Sequence, residues 1–233
     1  MASPQPDLSV VLPAYREEEN LRLLLPRLLK SLAGLGASSE VLVVDTMESM
    51  DLTAEVCAEH GVRHLNRQGG NSYGDAVRTG LHQARGAYIL FMDADGSHTP
   101  EFIPHLWSGR GPGRVVIASR YVAGGDTENP RSLIAMSHVV NFVYALVLGI
   151  RCKDVSNSFK LYPSEVVRPL NLRCSNFDVV EELLVKAVRR QRDLALVEVP
   201  YVFKKRMFGQ TKRNLLLFML TYLYSLLRLR FGR

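Results

Sequence analysis

Cysteine is scarce in this chain of 233 residues: three in all, Cys57, Cys152 and Cys174, far apart and odd in number. That excludes a disulfide framework and argues against a zinc site, and it suits a reducing cytosol. No basic and apolar leader is evident in Met1–Asp7, so no secretory signal is expected. Internal repeats and low-complexity segments are absent. No apolar run reaches the roughly twenty residues a bilayer span needs without polar interruption. A recognisable nucleic-acid-reading module is also missing, so nucleic acid is not an expected partner.

What is present is a chain with 47% hydrophobic residues, enough for one globular α/β domain with a sizeable core. Its net charge of +6 is unevenly spread. Lys186–Arg233 holds twelve Lys and Arg against two acids, whereas the preceding residues hold seventeen against twenty-one. A basic C-terminal region beside a mildly acidic body points to phosphate or anionic lipid as a contact.

Short apolar runs alternate with helical patterns, the signature of a parallel sheet with crossover helices. Strands are expected at Ser9–Leu12, Glu40–Val44, Val62–Leu65, Ala87–Met92 and Val115–Ser119. Helices are expected over Glu18–Leu35, Asp51–His60, Tyr73–Ala84 and from Asp178 to about Arg190. Leu133–Ile150 is mostly apolar but carries Ser137, His138 and Asn141, which fits an amphipathic surface helix or a core helix better than a span. Leu215–Leu227 is shorter, and its basic flanks, Lys212–Arg213 and Arg228–Arg230, suit an anionic headgroup layer.

Ligands bind beyond the carboxyl ends of the strands in open parallel sheets. Three polar clusters fall there: Tyr15–Glu17, Asp45–Thr46 and Asp93–His98. Asp93 and Asp95, spaced i and i+2 just after a buried strand, can face one hard cation on a diphosphate. Arg120 ends another strand and can hold a phosphate bidentately. Arg206 and Lys212 bracket a glycine-containing loop fit to close over a diphosphate. Asp178, Glu181 and Glu182 open a helix, where acids commonly answer the helix dipole; holding a sugar or acting as a base is the alternative. His138, on an apolar helix, reads as a partnered core or interface residue.

Together these segments resemble the inverting family 2 glycosyltransferases, and within them the dolichyl- or polyprenyl-phosphate mannosyltransferase branch. The stretches are Leu12–Asn20, Met92–His98, Ser119–Tyr121, Asp154–Tyr162, and Glu198–Pro200 followed by Arg206–Lys212. The resemblance implies a Rossmann-like nucleotide-diphospho-sugar transferase fold (GT-A), a mostly parallel sheet flanked by helices, over residues 1–213, with the interface helix inside it. Residues 214–233 would be a basic and apolar membrane-surface helix.

By the same resemblance Pro13, Tyr15, Glu17, Val44 and Asp45 line the nucleoside pocket. Asp93 and Asp95 coordinate Mg²⁺ or Mn²⁺, and Ala94 packs against the nucleotide. Arg206 and Lys212 bind donor phosphates, and Arg120 binds the phosphate of a lipid acceptor. Asp95 and Arg120 are the implied catalytic residues. The implied reaction moves a mannose-like hexose from a nucleoside-diphosphate sugar to polyprenyl or dolichyl phosphate with inversion. A phosphate acceptor is already ionised, so no dedicated base is required. Such an enzyme is expected at the cytoplasmic face of a membrane, with room for a separate membrane subunit. Three positions depart from the pattern. Thr46 replaces a second aspartate that commonly approaches the base, His138 replaces a common arginine, and Ser158 replaces a common glycine. The other readings are a soluble family 2 transferase acting on a saccharide, protein or small natural product, and a non-catalytic sugar-nucleotide or lipid-binding subunit.

Overall fold

The computed structural model describes residues 5–208 and 215–231, the stretch 215–221 by its backbone alone. Five strands and the first three crossover helices follow the expected order, and a short helix that was not expected, α4, joins β4 to β5. They are β1 (Leu8–Pro13), α1 (Glu18–Ala33), β2 (Ser39–Asp45), α2 (Thr53–Glu59), β3 (Arg63–Asn66), α3 (Tyr73–Gln83), β4 (Tyr88–Phe91), α4 (Ile103–Ser108) and β5 (Arg114–Ser119). The second half adds β6 (Asp126–Thr127), α5 (Arg131–Leu148), β7 (Lys160–Pro163), α6 (Ser164–Val167), α7 (Val179–Arg190), β8 (Ala195–Pro200), β9 (Val202–Phe203) and α8 (Leu215–Phe231).

Seven strands form one sheet in the order β3-β2-β1-β4-β7-β5-β8, and β6 pairs with β9 in a small second sheet. All pairs in the large sheet are parallel except those of β7, which runs antiparallel to both β4 and β5. The inverted strand was not legible in the sequence. Its four residues, Lys-Leu-Tyr-Pro, are too few and too mixed to show a period.

Side chains alternate across the buried strands and feed two cores. Leu8, Val10, Leu12, Val43 and Leu90 meet α1, α2 and α4 on one face. Val11, Val44, Ile89, Ile117 and Tyr162 meet α3, α5, α6, α7 and α8 on the other. Leu21, Leu24, Leu25, Leu28 and Leu32 are the buried stripe of α1, at the spacing that puts one helix face on a sheet. Gly80 lets α3 sit tightly on β1: a Cβ there would lie 2.3 Å from Val11 Cγ1.

Helix α5 differs from its expected form. It runs eighteen residues with mean hydropathy 1.5, long and apolar enough by length and composition to cross a membrane. Only Asn141 and Tyr144 are buried on it, while Val139, Phe142 and Leu146 are each over 60% exposed. It is therefore not a core helix. Asn141 turns inward, accepting from the backbone N–H of Ser156 and donating to Ser137, so this polar interruption faces protein, while His138 stays exposed among apolar neighbours. Helix α8 packs beside it, with Tyr222, Leu226 and Leu229 in the core and Leu223, Tyr224, Leu227 and Phe231 exposed.

Candidate functional site

The carboxyl ends of β1, β2, β3, β4, β5 and β8 open on one edge of the sheet. Because β7 is inverted, the segment that precedes it, Asp154–Phe159, reaches the same edge. Asp93 and Asp95 lie just past β4. Gly96 follows with φ +80°, a left-handed turn, and a Cβ on it would strike the side chain of Met207. Asp95 Oδ1 accepts from Ser97 N (3.0 Å) and Ser97 Oγ (2.6 Å). Asp93 Oδ1 accepts from Tyr73 Oη and Ser158 Oγ, both at 3.0 Å. Among the described residues, the Oδ2 atom of neither aspartate accepts a hydrogen bond.

Those two oxygens would suit a hard cation. Among the described residues no group of three or more His, Cys, Asp and Glu is placed to hold a metal. The two aspartates alone are an incomplete cage.

Behind Asp93, His98 is fully buried, and burial pushes its pKa down. Its Nδ1 accepts from Asp93 N (2.9 Å), so the proton sits on Nε2, which donates to Asn157 Oδ1 (3.0 Å). His98 is thus a neutral strut stacked on Phe159.

Arg206 reaches this cluster from the segment after β9. Its Nη2 donates to Glu17 Oε1 (2.9 Å), and its Nε lies 3.6 Å from Asp95 Oδ2, beyond hydrogen-bond length. Burial raises Glu17 to about 7, against the pull of Asn20 and Arg206, and with Asp95 and Asp93 adding to the rise. Lys212, Gly209, Gln210 and Thr211 lie outside the described residues.

The residues expected to line a nucleoside pocket also converge. Pro13 and Val44 are buried at adjacent strand ends, joined by Ala14 N donating to Val44 O (2.9 Å). Tyr15 is 47% exposed at the mouth, and Ala94 is buried beneath the aspartates. Asp45 is fully buried, its carboxylate engaged by Thr46 N (2.7 Å) and His64 Nε2 (3.2 Å). Thr46 Oγ1 donates to Glu48 O (2.6 Å).

Arg67, just past β3, was missed in the sequence reading. It is buried, with its guanidinium carbon 5.8 Å from the Tyr15 ring, and it donates to Ala14 O, Asn71 O (2.6 Å) and Ser72 O (3.2 Å). One side chain thereby ties two strand-end loops together. A basic residue directly after a strand was the available signal.

Arg120 forms a second centre. Nε donates to Asp154 Oδ2 (2.8 Å) and Nη2 to Asp154 Oδ1 (2.7 Å) and Ser156 Oγ (2.9 Å). The carboxylate holds the guanidinium well above its ordinary pKa, although burial opposes it. His138 is exposed and its ring lies 4.1 Å from that of Tyr121, beside Arg120. Asp178, at the N-terminal cap of α7, and Glu182 within it are engaged by local donors. Asp178 Oδ1 accepts from Asn176 N (3.0 Å), and Glu182 accepts from Arg173 N, Cys174 N and Lys186. Glu181 is fully buried beyond the site edge, and burial raises it to about 7.

Residues 9–170 match the family model described as Glycosyl transferase family 2. The chain belongs to that family. It is 34% identical over 213 residues to the dolichol-phosphate mannosyltransferase of Pyrococcus furiosus, covering 88% of this chain and 58% of that protein. The undecaprenyl-phosphate mannosyltransferase of Micrococcus luteus is 31% identical over 218 residues, covering 88% and 86% of the two chains. The dolichol-phosphate mannosyltransferase of Saccharomyces cerevisiae is 29% identical over 216 residues, covering 88% and 80%. In fold the chain is similar to glucosyl-3-phosphoglycerate synthase from Mycobacterium tuberculosis, at 19% identity. A complex of that protein with phosphoglyceric acid superposes with TM-score 0.74, covering 96% of this chain and 80% of that one. The same protein has been solved with Mn²⁺, uridine diphosphate and glucosyl-3-phosphoglycerate (TM-score 0.69). The fold is that of the GT-A transferases, mostly parallel with flanking helices.

Proposed function

We propose that this chain transfers a mannose-like hexose from a nucleoside-diphosphate sugar to a polyprenyl or dolichyl phosphate, inverting the anomeric carbon. The observation that carries the reading is the convergence, on one sheet edge, of two carboxylates with spare oxygens and two arginines of different kinds. Asp93 and Asp95 would hold Mg²⁺ or Mn²⁺ there, which when bound would supply charge neutralisation for a departing diphosphate. Arg206 leaves its partners to bind donor phosphates, with Lys212 assigned the same task by its place in the sequence. Pro13, Tyr15, Glu17, Val44, Asp45 and Ala94 shape the nucleoside pocket. Arg120 presents the acceptor phosphate, whose oxygen attacks in line without a dedicated base.

Three relatives carry names of polyprenyl- or dolichol-phosphate mannosyltransferases, which favours a lipid phosphate over a soluble acceptor. The exposed apolar faces of α5 and α8 suit a bilayer surface. We assign residues 1–213 to the transferase unit and 214–233 to a membrane-surface helix at the cytoplasmic face, where a separate membrane subunit can meet it.

Radiolabelled GDP-, UDP- and dTDP-sugars supplied with Mn²⁺ and polyprenyl phosphate test the reading. An organic-extractable labelled product is expected with one donor. Label transferred only to water-soluble acceptors would overturn the lipid assignment. No transfer to any acceptor, with donor binding intact, would leave a sugar-nucleotide-binding subunit.

A further inference from the structure

Lys160 is a fully buried lysine in the middle of the sheet, on the inverted strand, paired in register with Phe91 of β4 and Ile117 of β5. Its Nζ donates to Val155 O (2.8 Å) and to Asn157 O. Burial pushes its pKa down, with Cys152, Asp154 and Glu181 opposing that shift by charge. Ammonium and amine both offer at least two N–H donors, so the two bonds do not depend on the protonation state.

The two carbonyls that Lys160 holds belong to a short loop with contacts in opposite directions. Ser158 Oγ donates to Asp93 Oδ1 (3.0 Å). Ser156 Oγ accepts from Arg120 Nη2 (2.9 Å), and Asp154 carries the bidentate bond to the same arginine. Asn157 Oδ1 accepts from His98, which in turn accepts from the amide of Asp93. The far end is pinned by Glu198, which accepts from Lys153 N (2.9 Å) and Asp154 N (3.0 Å). The loop therefore touches both the carboxylate centre and the arginine centre, and Lys160 is its internal clamp.

We propose that Lys160 is a positioning residue: by fixing the Val155–Asn157 carbonyls it orients Asp93 through Ser158 and Arg120 through Ser156, keeping the two centres in register. This rests on the assignment of Asp93 to the metal and Arg120 to the acceptor. A partner bonded to a ligand carboxylate fixes which oxygen faces the ion, and losing such a partner typically weakens metal affinity about 10- to 100-fold.

Three variants test it: Lys160→Met, Ser158→Ala and Ser156→Ala. Mn²⁺ is titrated calorimetrically with and without nucleoside diphosphate, and acceptor KM and kcat are measured in the full chain. Ser158→Ala is expected to weaken Mn²⁺ binding about tenfold and leave acceptor KM unchanged. Ser156→Ala is expected to raise acceptor KM and leave Mn²⁺ binding unchanged. Lys160→Met is expected to do both, and Lys160→Arg to recover part of each. General loosening would move both readouts in all variants, so the split pattern separates positioning from mere stability. If Lys160→Met fails to fold, the serine pair still decides. Mn²⁺ affinity unchanged in Ser158→Ala, or both readouts unchanged in a folded Lys160→Met, would overturn the proposal. A wild type that binds Mn²⁺ and nucleotide but never uses a lipid phosphate would instead overturn the acceptor assignment, leaving the Ser158 measurement valid.

Discussion

Two arginine–carboxylate centres lie on the same edge of the sheet and are built in opposite ways. Arg120 is locked: two bonds to Asp154, a third to Ser156, and a side chain only 10% exposed. Arg206 is the looser of the two: among the described residues it has one bond to Glu17, a 3.6 Å approach to Asp95, and a buried Nε without a hydrogen-bond partner. A guanidinium with a spare donor between two carboxylates can be drawn away by a stronger anion, whereas one already matched bidentately is preorganised and barely moves. On the roles proposed above, the donor centre would rearrange and the acceptor centre would stay fixed.

The comparison can be broken at several points. Asp95→Asn should have the largest effect, lowering kcat/KM by roughly 100-fold or more with the melting temperature little changed, since an amide is a poor ligand for a hard cation. Asp154→Ala should act on stability first. It strands Arg120 in a buried place, and breaking such a pair costs about 3–5 kcal/mol, visible as a lower urea midpoint. Arg206→Met should weaken nucleoside-diphosphate affinity roughly 10- to 100-fold, the range for a charge-assisted bond, with little change in melting temperature. Should it melt as early as Asp154→Ala, the loose and locked distinction is wrong.

Glu17→Gln should be smallest, and it depends on pH. A carboxyl raised to about 7 in the fold binds its proton longer there than in the unfolded chain. Stability of the ligand-free protein should therefore fall as pH rises from about 4.5 to about 7, and level off above. The glutamine variant should lose that slope and be the more stable protein at pH 8, as melting curves across the range would reveal.

How much of this was legible in the sequence differed between the halves. From β1 to β5 each strand is a run of apolar residues stopped by polar ones, and Asp93, Asp95 and Glu17 could be placed at strand ends from that pattern alone. Arg206 was legible as one end of a basic loop fit for a diphosphate, but only the family resemblance brought it to the donor site, because the chain between Tyr201 and Met207 has little regular structure to set its direction. The partner of Arg120 was illegible for another reason. Asp154 is thirty-four residues away, and only the inversion of β7 brings it to the same edge. Glu181 read as a first-turn acid. Its burial follows from its place between Lys160 of the sheet and Tyr222 of α8, and helix periodicity within α7 says nothing of that.

The inverted strand also has a consequence for how the chain is made. Strands β3, β2, β1 and β4 can pair as soon as they leave the ribosome, but the neighbour of β4 is β7, about seventy residues later. At a synthesis rate of about 5–20 residues per second, β4 stays an open edge for roughly 3–14 s. Tyr-Ile-Leu-Phe is an apolar sequence to leave unpaired, and β5, emerging next, can mispair with it in parallel. Released chains truncated near residue 155 should bind holdase chaperones more than released chains truncated near 175, in which β7 can fill the gap.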